Sequence, residues 1–301
     1  MANVRDYRTR IRSVKSTQQI TRAMKLVSAV KLRRAQERIL AARPYARKML
    51  EVLSSLAARA NPDRHPLLAR RPASRVVVVV ITADKGLCGS FNTNILNRAR
   101  DLLEGMRDRQ VQVDLVGRKA RDWFRKRTYA TRRVLLDVFR NVTVDHAREV
   151  ASELMRGFIA AENDAVHLVY NEFKSVIQQR VVAETLLPIP RSLFGEGAFR
   201  GGAEGAPSKA ALAAGAEDYI YEPGDTVLFE TLLPKHVEIQ VYRALLESAA
   251  AEHGARMAAM DNATRNAEEM IETLTLQMNK IRQASITKEI LEVVSGAEAL
   301  R

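Results

Sequence analysis

The chain has 301 residues, with 48 Lys+Arg against 35 Asp+Glu and a formal net charge of +13. A single cysteine, Cys88, excludes an intrachain disulfide framework and fits a reducing compartment. The longest strongly apolar run, Val76 to Ile81, falls far short of the ~20 residues that a bilayer span needs.

The charge is unevenly placed. Residues 1–48 carry +12, residues 49–234 carry +3, and residues 235–301 carry −2. A basic segment of this kind suits nucleic acid, an anionic membrane surface or an acidic protein partner, and composition alone does not choose. No apolar leader follows the first residues, so a secretory signal is not expected. The Arg-rich, acid-poor start keeps a mitochondrial transit peptide in play.

Residues 3–60 contain one proline, Pro44, and no glycine. Val4, Tyr7, Ile11 and Val14 are spaced 3, 4, 3, the rhythm of a coiled-coil seam. Ile20, Met24, Val27 and Val30 continue on a rotated stripe, and Leu32, Ala35 and Ile39 swing back. Gln18, Thr21, Lys25 and Ser28 hold the seam positions of the first register, so that seam is partly polar. Pro44 is expected to kink the helix or open a new one. Asn61-Pro62 is a stop signal.

Strand–helix alternation follows. Arg75 to Ile81 reads as a buried strand, with β-branched residues on both faces. The loop Thr82 to Asn92 leads to a helix over 93–106. Val111 to Val116 is a second strand, 118–127 a basic helix and Val134 to Val138 a third strand. Residues 145–161 form a helix with Asp145 as its expected N-cap. Val166 to Phe173 and Gln179 to Leu187 read as a hairpin. The alternation predicts a mostly parallel, doubly wound sheet. Residues 195–217 are Gly/Ala-rich and read as a surface insertion.

From Lys235 to Ser295 there is no proline and one glycine, Gly254. Met260, Thr264, Ala267, Ile271, Leu274, Met278 and Ile281 alternate spacings of 4 and 3. Some 60 helical residues span about 90 Å at 1.5 Å per residue. A compact globule of this chain length has a radius of gyration of about 19 Å, so such a helix must project from it. The N-terminal helix, similarly long and similarly seamed, is the obvious mate. The expected solution is an antiparallel two-helix stalk; a helical bundle is the alternative.

The loop after the first strand lacks nucleotide chemistry. A phosphate-binding loop needs G-x-x-x-x-G-K-[ST], whereas Gly86-Leu-Cys-Gly89 has two intervening residues and Lys85 precedes the first glycine. The G-x-G-x-x-G fingerprint is absent as well. The five histidines are dispersed, and none stands in a metal-ligand spacing. Catalytic, cofactor and metal residues are therefore expected to be none. A DNA-binding coiled coil is the competing reading, marked by steeply salt-dependent duplex binding.

Several segments resemble one family. Ile11 to Lys25 (IRSVKSTQQITRAMK), Thr82 to Asn92 (TADKGLCGSFN), Arg256 to Ala267 (RMAAMDNATRNA), Asn279 to Ile290 (NKIRQASITKEI) and Val294 to Ala297 (VSGA) resemble the gamma subunit of bacterial F-type ATP synthases, in the family order. The redox-regulatory cysteine pair of the chloroplast version has no counterpart.

The resemblance implies an α/β fold with a long antiparallel coiled coil and a Rossmann-like domain inserted between its helices. The expected segments are 1–60 (coiled-coil helix), 74–190 (α/β domain), 191–224 (insertion and linker) and 225–301 (second coiled-coil helix). It implies a non-catalytic rotor shaft inside a ring of alpha and beta subunits, touching the epsilon subunit and the c-ring, peripheral to the cytoplasmic face of a bacterial inner membrane. Nucleic acid and a membrane span are not implied. By the same resemblance, Met24, Lys25, Lys85, Cys88, Arg256, Lys280, Arg282 and Gln283 are expected to meet the alpha/beta ring. Tyr219 and Tyr221 are expected near epsilon and the c-ring. Beta subunits of the family carry acidic levers facing the shaft, a natural partner for a segment of net +12.

Overall fold

The computed structural model describes residues 3–59, 65–175, 178–190, 222 and 224–298. Asn61-Pro62, the 195–217 stretch, Tyr219 and Tyr221 lie outside the described residues. The chain divides into two compact units: Met1–Ala29 with Arg256–Arg301, and Val30–Ala255.

The first unit is a helix pair, made by the start of α1 (Val4–Arg59) and the end of α5 (Asp225–Glu298). Thr21 Oγ1 lies 2.8 Å from Thr264 Oγ1, and Lys25 Nζ lies 2.6 Å from Asp261 Oδ1. One index rises while the other falls, so the helices run antiparallel. Continued toward the start of α1, this register sets Val14 beside Ile271, Ile11 beside Leu274, Tyr7 beside Met278 and Val4 beside Ile281. All eight are half-buried.

The seam follows the first heptad register throughout. Thr21 and Ser28 are buried, whereas Ile20 and Val27 of the rotated stripe are 57% and 56% exposed. Strong apolar heptads flank the polar stretch, and a stiff helix cannot turn its face for three turns and return. Small hydroxyl side chains fill the seam instead. Each threonine hydroxyl also reaches a carbonyl of its own helix, Gln18 O at 3.0 Å and Met260 O at 2.7 Å. The double variant Thr21→Val/Thr264→Val should therefore be neutral or more stable by up to ~1 kcal/mol, since both polar partners leave together. Either single change should cost up to ~1 kcal/mol. Urea unfolding of the four species reads the cycle.

The second unit is α/β. Its five strands are β1 (Arg75–Ile81), β2 (Gln110–Val116), β3 (Ala130–Leu135), β4 (Ala165–Phe173) and β5 (Gln179–Leu187), in the order β3-β2-β1-β4-β5. Pairing is parallel except between β4 and β5. Connecting helices are α2 (Phe91–Glu104), α3 (Arg118–Phe124) and α4 (Val144–Ile159).

Period-two alternation divides β1 between two cores. Val77, Val79 and Ile81 face α4, the later part of α1 (Met49, Leu53, Leu56) and the early part of α5 (Leu233, Val237, Val241). Val76, Val78 and Val80 face α2 and α3, against Phe91, Ile95 and Phe124. In α5, Ala249 belongs to the first core and Ala251 to the second, and both are buried.

Two expectations need correction. The third strand spans Ala130–Leu135, not 134–138. Its polar start is held by charge: Arg132 pairs with buried Asp114 on β2, and Arg133 with Glu149. Asp137 is left-handed (φ 59°), which ends the strand. The N-cap of α4 is Thr143, in a reciprocal capping box with His146, rather than Asp145, which lies in the first turn. Of the two alternatives at Pro44, a new helix does not begin there: Pro44 lies inside α1, as Pro234 lies inside α5. Leu53 and Leu56 beyond Pro44, and Leu233 and Val237 around Pro234, are fully buried, and that burial outweighs a proline's local cost of ~3 kcal/mol.

Candidate partner-contact surfaces

The helix pair closes its seam and leaves its outside charged. Arg5, Arg8, Arg12 and Arg22 of the helix pair are exposed, and in the other unit so are Lys31 and Arg34 of α1. None of the six forms an ion pair among the described residues. Lys25 differs: it is half-exposed and bound to Asp261. That hydrogen bond holds the Asp261 carboxyl below its usual range. Met24 is half-buried beside it, and Arg256 is buried at 9% exposure. These three are therefore at or near the helix pair's own packing.

Lys280, Arg282 and Gln283 are exposed on α5, where α1 gives out. From residue 282 to 298, α5 runs past the start of α1 by about 25 Å at 1.5 Å per residue. This overhang exposes Ile286, Ile290, Leu291, Val293 and Val294. A helix end with five exposed large aliphatic residues marks an interaction site. The sequence pattern of alternating spacings stops at Ile281, which is the signal that could have separated the paired part from this overhang.

A second surface lies in the α/β unit at the carboxyl ends of β1 and β2. Asn92 fixes the loop between β1 and α2 from both sides. Its Oδ1 accepts from Ala83 N at 3.0 Å, and its Nδ2 donates to Cys88 Sγ at 3.1 Å. The thiol is thus buried and held within the loop. Lys85 and Leu87 are exposed, and Leu87 is held at φ 63° with its side chain outward. Beside the loop runs a groove of about 550 Å³, which Lys119, Trp123, Lys126 and Arg127 line from α3 and the residues after it. The Arg127 guanidinium stacks 3.3 Å over the Trp123 ring. A basic helix is legible in the sequence here, but its place beside the loop is not, because the parallel sheet makes the two neighbours over a long crossover.

No group of His, Cys, Asp or Glu among the described residues could hold a metal ion, and no described helix is long and apolar enough to cross a membrane. Two helix-linked surfaces, one basic with an apolar overhang and one a basic loop and groove, both suit an acidic protein with an apolar pocket.

The family model described as ATP synthase matches residues 3–300. A gamma chain of ATP synthase from Anaeromyxobacter sp. (strain Fw109-5) is 50% identical over 307 aligned positions, covering 100% of both chains. One from Pelotomaculum thermopropionicum is 45% identical, again over 100% of both. Among solved structures, a central-stalk and c-ring chain of the Tetrahymena thermophila mitochondrial ATP synthase is 29% identical, with TM-score 0.57 over 81% of this chain and 99% of its own. A chain of the Euglena gracilis mitochondrial enzyme shares the fold at 21% identity, with TM-score 0.65 over 99% and 94%.

Proposed function

The chain belongs to the ATP synthase gamma-chain family, and on that premise we propose that it is the rotor shaft of an F-type ATP synthase whose outer helix surface runs inside a ring of alpha and beta subunits. Gamma chains are the central-stalk subunits, and catalysis belongs to the beta subunits. The shaft transmits rotation of an ion-driven c-ring to the beta sites, which couples ion flow to ATP synthesis or hydrolysis.

One observation carries the contact proposal. The helix pair keeps its seam closed with its own residues, and Arg5, Arg8, Arg12 and Arg22 on its outside form no ion pair among the described residues. A rotor must hold its partner without locking to it. Charge attraction is long-ranged and non-directional, so it survives a change of angle that close apolar packing would resist. The outer cations, with Lys280, Arg282 and Gln283 at the start of the overhang, meet the ring. The apolar overhang supplies an end bearing. Lys25, Met24 and Arg256 act from the seam, by setting its geometry. The loop Lys85 to Cys88 with its basic groove meets an acidic lever of a beta subunit. Tyr219 and Tyr221 face epsilon and the c-ring. The complex places the chain peripherally, at the cytoplasmic face of a bacterial inner membrane.

Affinity purification of the tagged chain from its cell should recover alpha and beta subunits in fixed stoichiometry with ATPase activity. Recovery of the chain alone, from a lysate where both subunits are detected, would remove the reading. The combined variant Arg22→Gln/Lys31→Gln/Arg34→Gln should lower ATP synthesis per ion translocated several-fold. Its stability should stay within about 0.5 kcal/mol per site, as expected for exposed positions. Unchanged coupling in a correctly assembled complex would count against the electrostatic sleeve.

A further inference from the structure

Glu247 lies on α5 within the α/β unit, and the rotor function does not use it. Its Oε2 is enclosed by protein and has no hydrogen-bond partner. A cation stands one helical turn away, Arg243, but that guanidinium is committed elsewhere. Its Nη2 donates to Glu184 Oε1 of β5 at 2.8 Å and to the Tyr170 hydroxyl of β4 at 3.2 Å. The Tyr170 hydroxyl in turn donates to the same Glu184 oxygen at 3.2 Å. Arg243 Nε is buried and has no acceptor. A spare donor and a spare acceptor thus sit four residues apart on one helix, the spacing at which such side chains can meet.

We propose that Glu247 is a proton-operated switch: protonated, it leaves Arg243 clasping Tyr170 and Glu184, so that α5 is fixed to the β4–β5 edge; ionised, it draws Arg243 onto its own carboxylate and loosens that clasp. The only bond broken is the carboxyl O–H, and the proton goes to bulk solvent.

The surroundings suit a group poised between the two forms. Two cations face it, Arg243 from α5 and Arg43 from α1. Two carboxylates oppose them, Glu172 from β4 and Glu184 from β5, and Glu172 is itself held by Arg180 at 3.1 Å. Tyr170 stays neutral, because burial pushes its phenol far above the ordinary range. Burial is the largest influence on Glu247, and its carboxyl is pushed up from 4.5 to about 7. The folded form therefore holds this proton more firmly than the unfolded chain does. The associated stability is complete below about pH 4.5 and is lost as pH rises through about 7.

Hydrogen exchange read by mass spectrometry on the assembled complex tests this, in peptides covering β5 and residues 240–250. After correction for intrinsic rate, exchange there should rise about tenfold between pH 6 and pH 8.5. Glu247→Gln should hold the low rate at both values. Glu184→Gln, which removes the negative charge that holds Arg243 to the sheet, should show the high rate at both. A pH step of wild-type size in Glu247→Gln would overturn the switch, as would the absence of a step in the wild type. If Glu247→Gln fails to assemble, Glu184→Gln decides: a retained step there overturns the proposal.

Discussion

Gly117→Ala is expected to leave the α/β unit unfolded or insoluble, a loss of more than about 4 kcal/mol out of a typical total of about 5–15 kcal/mol. Gly117 follows β2 at φ 94°, a region where side chains are strained. The larger problem is space. A Cβ there would lie 2.2 Å from Thr82 O and 2.8 Å from Thr82 C, both backbone atoms of the strand exit next door. Neither can move freely. Thr82 N donates to Val116 O at 2.9 Å, and Gly117 N donates to Leu135 O at 2.8 Å. The Thr82 hydroxyl donates to Val116 O at 3.1 Å and accepts from Ala120 N at 2.9 Å. The close approach is thus a joint between the exits of β1 and β2, tied by three of these hydrogen bonds, and the fourth holds Gly117 to β3.

Gly105→Ala is the control. Gly105 has φ −71°, and the nearest atom to its Cβ position is 3.5 Å away. That change should be neutral or stabilise by about 0.5 kcal/mol, through the unfolded chain. Thermal unfolding and soluble yield of the two variants, compared side by side, give the answer. Equal behaviour of both would mean that the joint at Thr82 yields easily.

Gly117 marks a limit of what the sequence discloses. A glycine between a strand and a basic helix reads as an ordinary turn, because the reason for it is a carbonyl 35 residues earlier in the chain. The same holds for β3. Its Arg132 and Arg133 read as loop until Asp114 and Glu149 are known to stand opposite. Local pattern was enough where it was strong: five consecutive valines, a heptad rhythm, and alternating spacings in α5. At Pro44 it left a kink and a new helix open, and the buried leucines on the far side decide that the helix continues. On α1 the sequence offered two stripes without ranking them. The ranking comes from the partner: Thr264 faces Thr21, and the aliphatic Ile20 and Val27 are left outside. That outcome is informative for a shaft, since the residues a zipper would bury are the ones this helix offers to its surroundings.

A disulfide between Leu87→Cys and a cysteine placed on the acidic lever of a beta subunit should abolish turnover, and a reductant should restore it. Leu87 suits the link. It is 64% exposed, it already has a Cβ at its positive φ, and its loop is rigid. Asn92 braces that loop through Ala83 and Cys88, and the joint at Gly117 braces its base. The native thiol does not compete, because Cys88 is buried. A bond of ~2.05 Å between shaft and ring leaves no slack for rotation. A parallel link at Ile290→Cys separates rotation from mere crowding. There α5 runs without a helical mate, so its end can unwind and swivel about single backbone bonds at low cost. Partial turnover is expected with that link, and none with the link at Leu87. Full turnover with the Leu87 link verified by gel mobility would show that this loop need not move against the ring, and the rotor contact at the Lys85 to Cys88 loop would fall with it.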